Sequence, residues 1–376
     1  MTISSAHSCR PPSTPGSALA PAVAPWLDAH AAALDEGGAQ GAIAGGQLLS
    51  RLAASGLFRT GVPLEQGGNG GSTSDAIRAV ADVAAHSQAA AFVLWAQRVF
   101  IEYLLVSPNR ALRAAWLPAL LEGTVAGATG LSNAMKFLGG IESLQVRIAS
   151  AGGGYAVDGV VPWATNLVPG NFIVAVAVEH AEAGRPAVLA MPANATGVQR
   201  SGDLDLIGLR GTHTASVYFE RAASGPGWLL HDDAHDYLPR VRPAFLGMQC
   251  GLSLGLARAS LLAARSREGA ARSVLAEDID DLDTRLRQAS EALLAGVDHG
   301  SFLVAPRRLF ALRIELVEIA TQAVQLEVQA RGGAGYLNGR HDGLPRRWRE
   351  AAFLPIVTPS LVQLRTELAR AGRNAA

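Results

Sequence analysis

The spacing of apolar residues changes period twice along this chain, and that change limits the folds open to it. Through the first third they recur at helical spacing. In QLLSRLAASGLF, Leu48, Leu49, Leu52 and Leu57 mark one face, and Gly56 offers a helix stop. The glycine-rich VPLEQGGNGG that follows reads as a loop. Ser72, with Asp75 three residues on, reads as the start of a long Ala-rich helix. SPNRALRAAWLPALLEG reads as another, capped at its start and ended by Gly123. From about residue 124 to 225 the period falls toward two. SLQVRIAS, GYAVDGVV, FIVAVAV, PAVLAMP and ASVYFE are short β-rich runs. Gly152, Gly153 and Gly154 predict a hairpin turn, and Gly159 predicts another. Helical spacing then returns over Pro243 to Arg267, Asp278 to Leu294, Arg307 to Gln329 and Thr358 to Arg370.

The order predicts an α+β protein. A loose tail (residues 1–25) precedes a helical domain (26–122), a compact β-barrel or sandwich (123–225) and a four-helix bundle (226–376).

Composition narrows the function classes. Of the 376 residues, 17% are charged, below the roughly 25% of an average soluble domain, which argues against long disorder. Acidic and basic residues balance at 32 each, whereas a chain built to hold nucleic acid usually carries a basic excess. The single lysine is Lys136. Cys9 and Cys250 are too few for a disulfide framework or a zinc site. The N-terminal stretch lacks the basic start and apolar run of a signal peptide, and no uncharged apolar run is long enough to span a membrane. A soluble, cytoplasmic protein is expected.

Three segments, in order and within the zones just described, give the chain a resemblance to the acyl-CoA dehydrogenase family of flavoproteins from about residue 30 to 372. The first is VPLEQGGNGG (62–71). The second is the pair GGYAVDGVVPWATN (153–166) and GLRGTHTASVYFE (208–220). The third is VQARGGAGYLN followed by RRWREAAFLPIVTPSLVQLRTELAR. The resemblance implies that family's architecture, an N-terminal helical domain, a middle β-domain and a C-terminal four-helix bundle. It also implies FAD between the β-domain and the bundle, and a homodimer or homotetramer in which subunits share flavin contacts. Trp163 falls where the family flanks the ring, and Thr165 where it supplies a hydroxyl. Leu131 and Ser132 fall at the flavin edge. Gln329, Gly332 and Gly333 fall where the bundle approaches a neighbour's dinucleotide. Outside the resemblance, Trp163 reads as a core aromatic and the glycines as an ordinary helix end.

The departures bear on chemistry. Removing a weakly acidic proton beside a thioester carbonyl needs a carboxylate held in an apolar site. The family's usual Glu position is taken by Thr358, and the alternative at the start of the first bundle helix falls near Val241, beside Arg242, a weak substrate-binding candidate. Glu350 is the nearest acid in sequence and reads more readily as a structural partner of an arginine than as a base. SNAMKFLG (132–139) replaces the family's small Gly-Ser step with bulk at Phe137 and Leu138, which puts CoA binding in doubt. The family's pyrophosphate loop is missing from SREGAARSVLAED, where Arg267 and Arg272 are the available substitutes.

Other motifs carry less. GLSLG (251–255) matches a nucleophile elbow, but its flanks read as one helix. HDDAHD (231–236) has histidines at i and i+4 but reads as a solvated acidic linker rather than a metal site. Three functions remain open. One is a flavin oxidoreductase acting on CH–CH groups of an acyl thioester or related substrate, with an electron-transfer flavoprotein as partner. A two-component monooxygenase would use reduced FAD or FMN, oxygen and a flavin reductase; His341 is the only histidine near the C-terminal region where such enzymes carry them. The third is a catalytically silent binding protein.

Overall fold

The computed structural model describes residues 23–180, 182–266, 270–337 and 343–373. Cys9, Arg267, His341 and the side chain of Arg272 lie outside them.

The helical layer opens with α1 (Val23–Glu36) and α2 (Gly38–Ala54), so helix begins inside the stretch expected to be tail. It continues with α3 (Thr73–His86), α4 (Gln88–Val106) and α5 (Arg110–Leu121). The α3 start is the capping box the sequence predicts. The Ser72 side chain accepts from the Asp75 amide, and Asp75 Oδ2 accepts from the Ser72 amide at 2.9 Å. Asn109 caps α5 by accepting from the Leu112 amide at 3.0 Å. The α4 helix is apolar nearly all round and runs through the middle of the core.

The β layer consists of β1 (Ala126–Thr129), then helix α6 (Ser132–Leu138), then β2 (Val146–Ala151), β3 (Gly154–Ala164), β4 (Phe172–His180), β5 (Ala187–Pro192), β6 (Val198–Arg200), β7 (Ala215–Ser224) and β8 (Leu229–His231). Strand order is β6-β7-β3-β2-β4-β5-β8, with β1 pairing parallel to β4. The turn at Gly152 and Gly153 joins β2 to β3, both glycines at positive φ. Gly159 is not a turn. It lies inside β3 at φ 135°, opposite Val146, where a Cβ would stand 2.3 Å from the Gln145 carbonyl oxygen. The glycine permits a bulge and a close strand approach, which the turn reading mistook for a chain reversal. β8 lies beyond residue 225 and still belongs to the sheet.

The C-terminal layer holds α7 (Ala234–Arg265), α8 (Ala270–Asp298), α9 (Ser301–Val304), α10 (Pro306–Arg331), α11 (Leu344–Phe353) and α12 (Leu361–Arg373). α7 starts nine residues before the expected Pro243, because Asp233 caps it and both Pro239 and Pro243 are carried within the helix. HDDAHD thus joins β8 to α7, with Asp233 capping the helix. GLSLG lies wholly inside α7, without the strand an elbow needs. Its glycines face α3: a Cβ on Gly251 would stand 2.8 Å from the Ile77 carbonyl oxygen, and one on Gly255 2.2 Å from that of Ala81. Two helices, Gln88–Val106 and Ala234–Arg265, are long and apolar enough to cross a membrane. Their apolar windows are 78% and 83% buried against the rest of the fold, so their composition serves the core.

Candidate active site

A cavity of about 550 Å³ opens where β1, α6 and β3 face α4 and the segment from α11 to Thr358. That volume falls within the roughly 300–1,000 Å³ of small-molecule and cofactor sites. Its walls are mostly aliphatic and aromatic. One wall is an aromatic stack. Phe92 and Trp95 lie parallel with centroids 5.2 Å apart, and Phe353 meets Phe92 edge-on at 4.7 Å. The Trp95 indole donates to the Phe245 carbonyl at 3.1 Å, which fixes it to α7.

The lining also holds Trp163 near the end of β3. It lines the cavity yet is 56% exposed, a large aromatic face left without a protein cover. Thr165 follows it into the lining, buried in a cluster of threonines. Its hydroxyl bonds the Thr214 hydroxyl at 2.9 Å and donates to the Thr212 carbonyl at 3.2 Å. The next residue, Asn166, adopts φ 63° and is buried. Ser132 at the head of α6 also lines the cavity, while the Leu131 side chain is turned into the core.

Gln329, Gly332 and Gly333 are not brought to this cavity. They sit exposed where α10 ends, with Gly332 at φ 57°. Arg242 is also elsewhere. Its guanidinium lies 5.1 Å over the Phe310 ring, and burial lowers its pKa against the opposing pull of Glu367.

Thr358 does line the cavity. Its carbonyl accepts from Gln249 Nε2 at 3.0 Å, and Gln249 Oε1 accepts from Arg313 Nε at 3.0 Å. Arg313 is fully buried, donates also to the Leu354 carbonyl at 3.0 Å, and has its pKa lowered to about 10 by burial. A buried cation thus anchors the backbone on both sides of the α11–Thr358 segment. Glu350 is turned away from the cavity. It accepts from the Gln88 amide at the head of α4 at 3.0 Å and from Arg346 at 2.6 Å. That is a carboxylate at a helix N-terminus, a structural place rather than a catalytic one.

The acids that line the cavity among the described residues are Glu142 and Asp205, and sequence reasoning singled out neither. Asp205 is largely exposed and pairs with Arg210 at 2.6 Å. Glu142 accepts from Lys136 Nζ at 2.7 Å, and that bond holds its carboxyl below the ordinary value. Asn133 joins them, donating to Glu142 at 3.3 Å and accepting from the Gln145 amide at 3.0 Å. The singular Lys136 was a usable signal, but nothing in the sequence pairs it with an acid six residues on. Among the described residues, no group of three or more His, Cys, Asp or Glu is arranged to hold a metal ion. In HDDAHD, His231 Nδ1 accepts from the Asp233 amide at 3.0 Å and its Nε2 faces Asp236 at 3.2 Å.

A family model described as "Acyl-CoA dehydrogenase, N-terminal domain" matches residues 18–124. A Bacillus subtilis (strain 168) protein, "Probable acyl-CoA dehydrogenase YngJ", is 25% identical over 338 residues, covering 82% of this chain and 85% of that one. The structure of glutaryl-coenzyme A dehydrogenase in its glutaryl-CoA complex superposes with a TM-score of 0.80 at 16% identity, covering 94% of each chain. FkbI, described as acting in biosynthesis of the methoxymalonyl extender unit of Fk520, superposes with a TM-score of 0.76 at 23% identity, covering 94% of this chain and 98% of that one. The chain thus matches the acyl-CoA dehydrogenase N-terminal domain over residues 18–124, and its whole length shares the fold of that family's solved members.

Proposed function

We propose that this protein is a flavin-dependent oxidoreductase whose ring site is the cavity between β3 and the α11–Thr358 segment. One observation carries the reading: Trp163 presents an uncovered aromatic face inside a cavity of cofactor size, whose lining it shares with Thr165 and Ser132. An isoalloxazine ring needs a flat apolar surface and a few donors at its polar edge. Trp163 would supply the surface. Ser132 and the backbone at Leu131 would supply donors, and Thr165, whose hydroxyl proton goes to the Thr212 carbonyl, would serve only as an acceptor. A bound FAD would accept or deliver electrons there. Family kinship favours FAD as the form bound and an acyl thioester or related compound as substrate, oxidised at a CH–CH unit.

The chain's own residues would do the rest. Phe92, Trp95 and Phe353 form a dry wall suited to an apolar substrate. Arg313 and Gln249 hold the Thr358 carbonyl in place at its edge. Gln329, Gly332 and Gly333, exposed at the end of α10, would remain available to a second subunit's flavin.

A second reading is a monooxygenase that uses reduced flavin and oxygen, supplied by a reductase. A specific observation favours it. Thr358 is no base, and Glu142 is ionised and held by Lys136. Abstraction of a proton beside a carbonyl needs a carboxylate of raised pKa, and the described lining residues offer none.

The test begins with a visible spectrum of the purified protein after incubation with FAD and removal of free flavin. A retained flavin spectrum is expected, and a colourless folded protein would end the ring-site reading. With flavin bound, bleaching by an acyl substrate without oxygen supports dehydrogenation. Oxygen uptake only in the presence of a reductase supports the second reading.

A further inference from the structure

Two cations line the cavity among the described residues, and they differ in how they are held. Arg349 is engaged by two acids: its Nε donates to Asp35 at 2.7 Å and its Nη2 to Glu36 at 3.0 Å. Those contacts tie α11 to the end of α1. Lys136 has one acid, Glu142, and both side chains remain about a third exposed to the cavity and solvent. The pair is therefore accessible, and its loss of solvation on exchanging one anion for another is small.

Lys136 lines the same cavity as Trp163 and stands close in sequence to the start of β2. β2 begins at Val146 opposite Gly159 of β3. The missing side chain at Gly159 lets the Gln145 carbonyl approach β3 closely. Glu142, the lysine bound to it and Gln145 line the cavity together with Trp163, the residue proposed to face the ring. The α6 helix that carries Lys136 is docked from behind. Arg370 Nη1 donates to the Gly139 carbonyl at 3.0 Å, and Phe137 packs against His235 at 5.2 Å. The docked helix carries the ammonium into the cavity lining, which Asn133 and Gln145 share.

A flavin nucleotide carries a ribityl phosphate at the end of a short chain from the ring. Resting on the flavin reading above, we propose that Lys136 is the phosphate-binding residue for the flavin tail, and that Glu142 occupies its ammonium when no phosphate is present. The role would otherwise have fallen to Arg267 and Arg272. A lysine ammonium binds phosphate as a point charge, as it does the Glu142 carboxylate. A phosphate carried by a substrate instead of the cofactor has the same chemistry, and the experiment separates the two.

The experiment measures affinities of the flavin-free full chain for riboflavin, FMN and FAD by flavin fluorescence quenching. The variants are Lys136→Met, Lys136→Arg and Glu142→Gln. Thermal unfolding checks that each is folded. Wild type is expected to bind FMN and FAD at least about tenfold more tightly than riboflavin, the worth of one charge-assisted contact. Lys136→Met should erase that ratio while leaving riboflavin binding unchanged. Lys136→Arg should keep most of it. Glu142→Gln should widen it by removing the competing carboxylate. A ratio near one in wild type, or a ratio that survives Lys136→Met, overturns the proposal while riboflavin binding upholds the ring site and leaves the lysine to a phosphorylated substrate. Failure to bind any of the three flavins overturns both.

Discussion

The side-chain amide of Asn166 donates to Gln97 Oε1 across 2.8 Å, joining the β-domain to the central helix α4 directly behind the cavity. The same amide donates to the Gly127 carbonyl at 3.0 Å, and Gln97 Oε1 also accepts from the Gly127 amide at 2.6 Å. Gln97 Nε2 donates to the carbonyls of Leu120 and Val125, each at 2.9 Å. Both donors and the acceptor of one buried glutamine are thus used. Gln97→Leu strands several buried polar groups and should cost about 3 kcal/mol or more. Asn166→Ala loses two bonds and places a Cβ residue at φ 63°, for about 2–4 kcal/mol. The double variant should lose much less than the sum, because the residues share one network. Urea unfolding of the three variants measures this, and simple additivity would show that the two side chains act independently.

Trp163 makes the opposite prediction. Its exposure means that Trp163→Ala removes little packing, so the unfolding midpoint should stay near wild type. Flavin retention should fall by about tenfold or more if the indole covers the ring. Spectra after gel filtration, compared with thermal scans, separate the effects. Full flavin occupancy in the variant would remove the ring from this wall.

Gly255 sets the distance between α7 and α3. Gly→Ala in an open helix stabilises by up to about 1 kcal/mol. Here the new Cβ would stand 2.2 Å from the Ala81 carbonyl oxygen and 2.5 Å from the Ala84 Cβ. Neither is the end of a flexible side chain, so the helices must separate. Gly255→Ala should destabilise by about 3 kcal/mol or more, or fail to fold. Gly46→Ala, where a Cβ meets nothing within 4 Å, is the control and should be neutral or mildly stabilising.

The same glycines show why parts of the fold were legible in sequence and others were not. The Ser72–Asp75 cap and the Gly152–Gly153 turn are local, and each announces itself within a few residues. Gly159 looks identical in sequence but answers to a neighbouring strand, which only the folded chain supplies. α6 was hidden because a departure from a familiar loop reads as lost function before it reads as a new helix. α7 was shortened by two prolines that a well-capped, buried helix tolerates. In the site, Trp163, Thr165, Ser132 and Thr358 could be placed by motif, and all four line one cavity. The Lys136–Glu142 pair could not, because a helix end and the Gly139–Gly140 turn bring it together.

Glu350 tests the division between structure and chemistry in the same variant. Burial pushes its carboxyl above the ordinary value of 4.5, and this outweighs the nearby Arg346 and the Gln88 amide. Such a group binds more protons folded than unfolded once the pH passes about 4.5, so it lowers stability as pH rises from there to its folded pKa. Glu350→Gln cannot ionise and keeps an acceptor for the Gln88 amide. The variant's stability should therefore lose less than that of wild type as pH climbs through this window, with the two curves parallel above it. Because Glu350 faces the head of α4 rather than the cavity, the variant should retain flavin and any substrate-dependent bleaching at wild-type levels. Denaturant unfolding across pH 4 to 8 measures the first effect, and anaerobic spectra measure the second. A folded, flavin-loaded Glu350→Gln that no longer bleaches would make this buried acid the missing base.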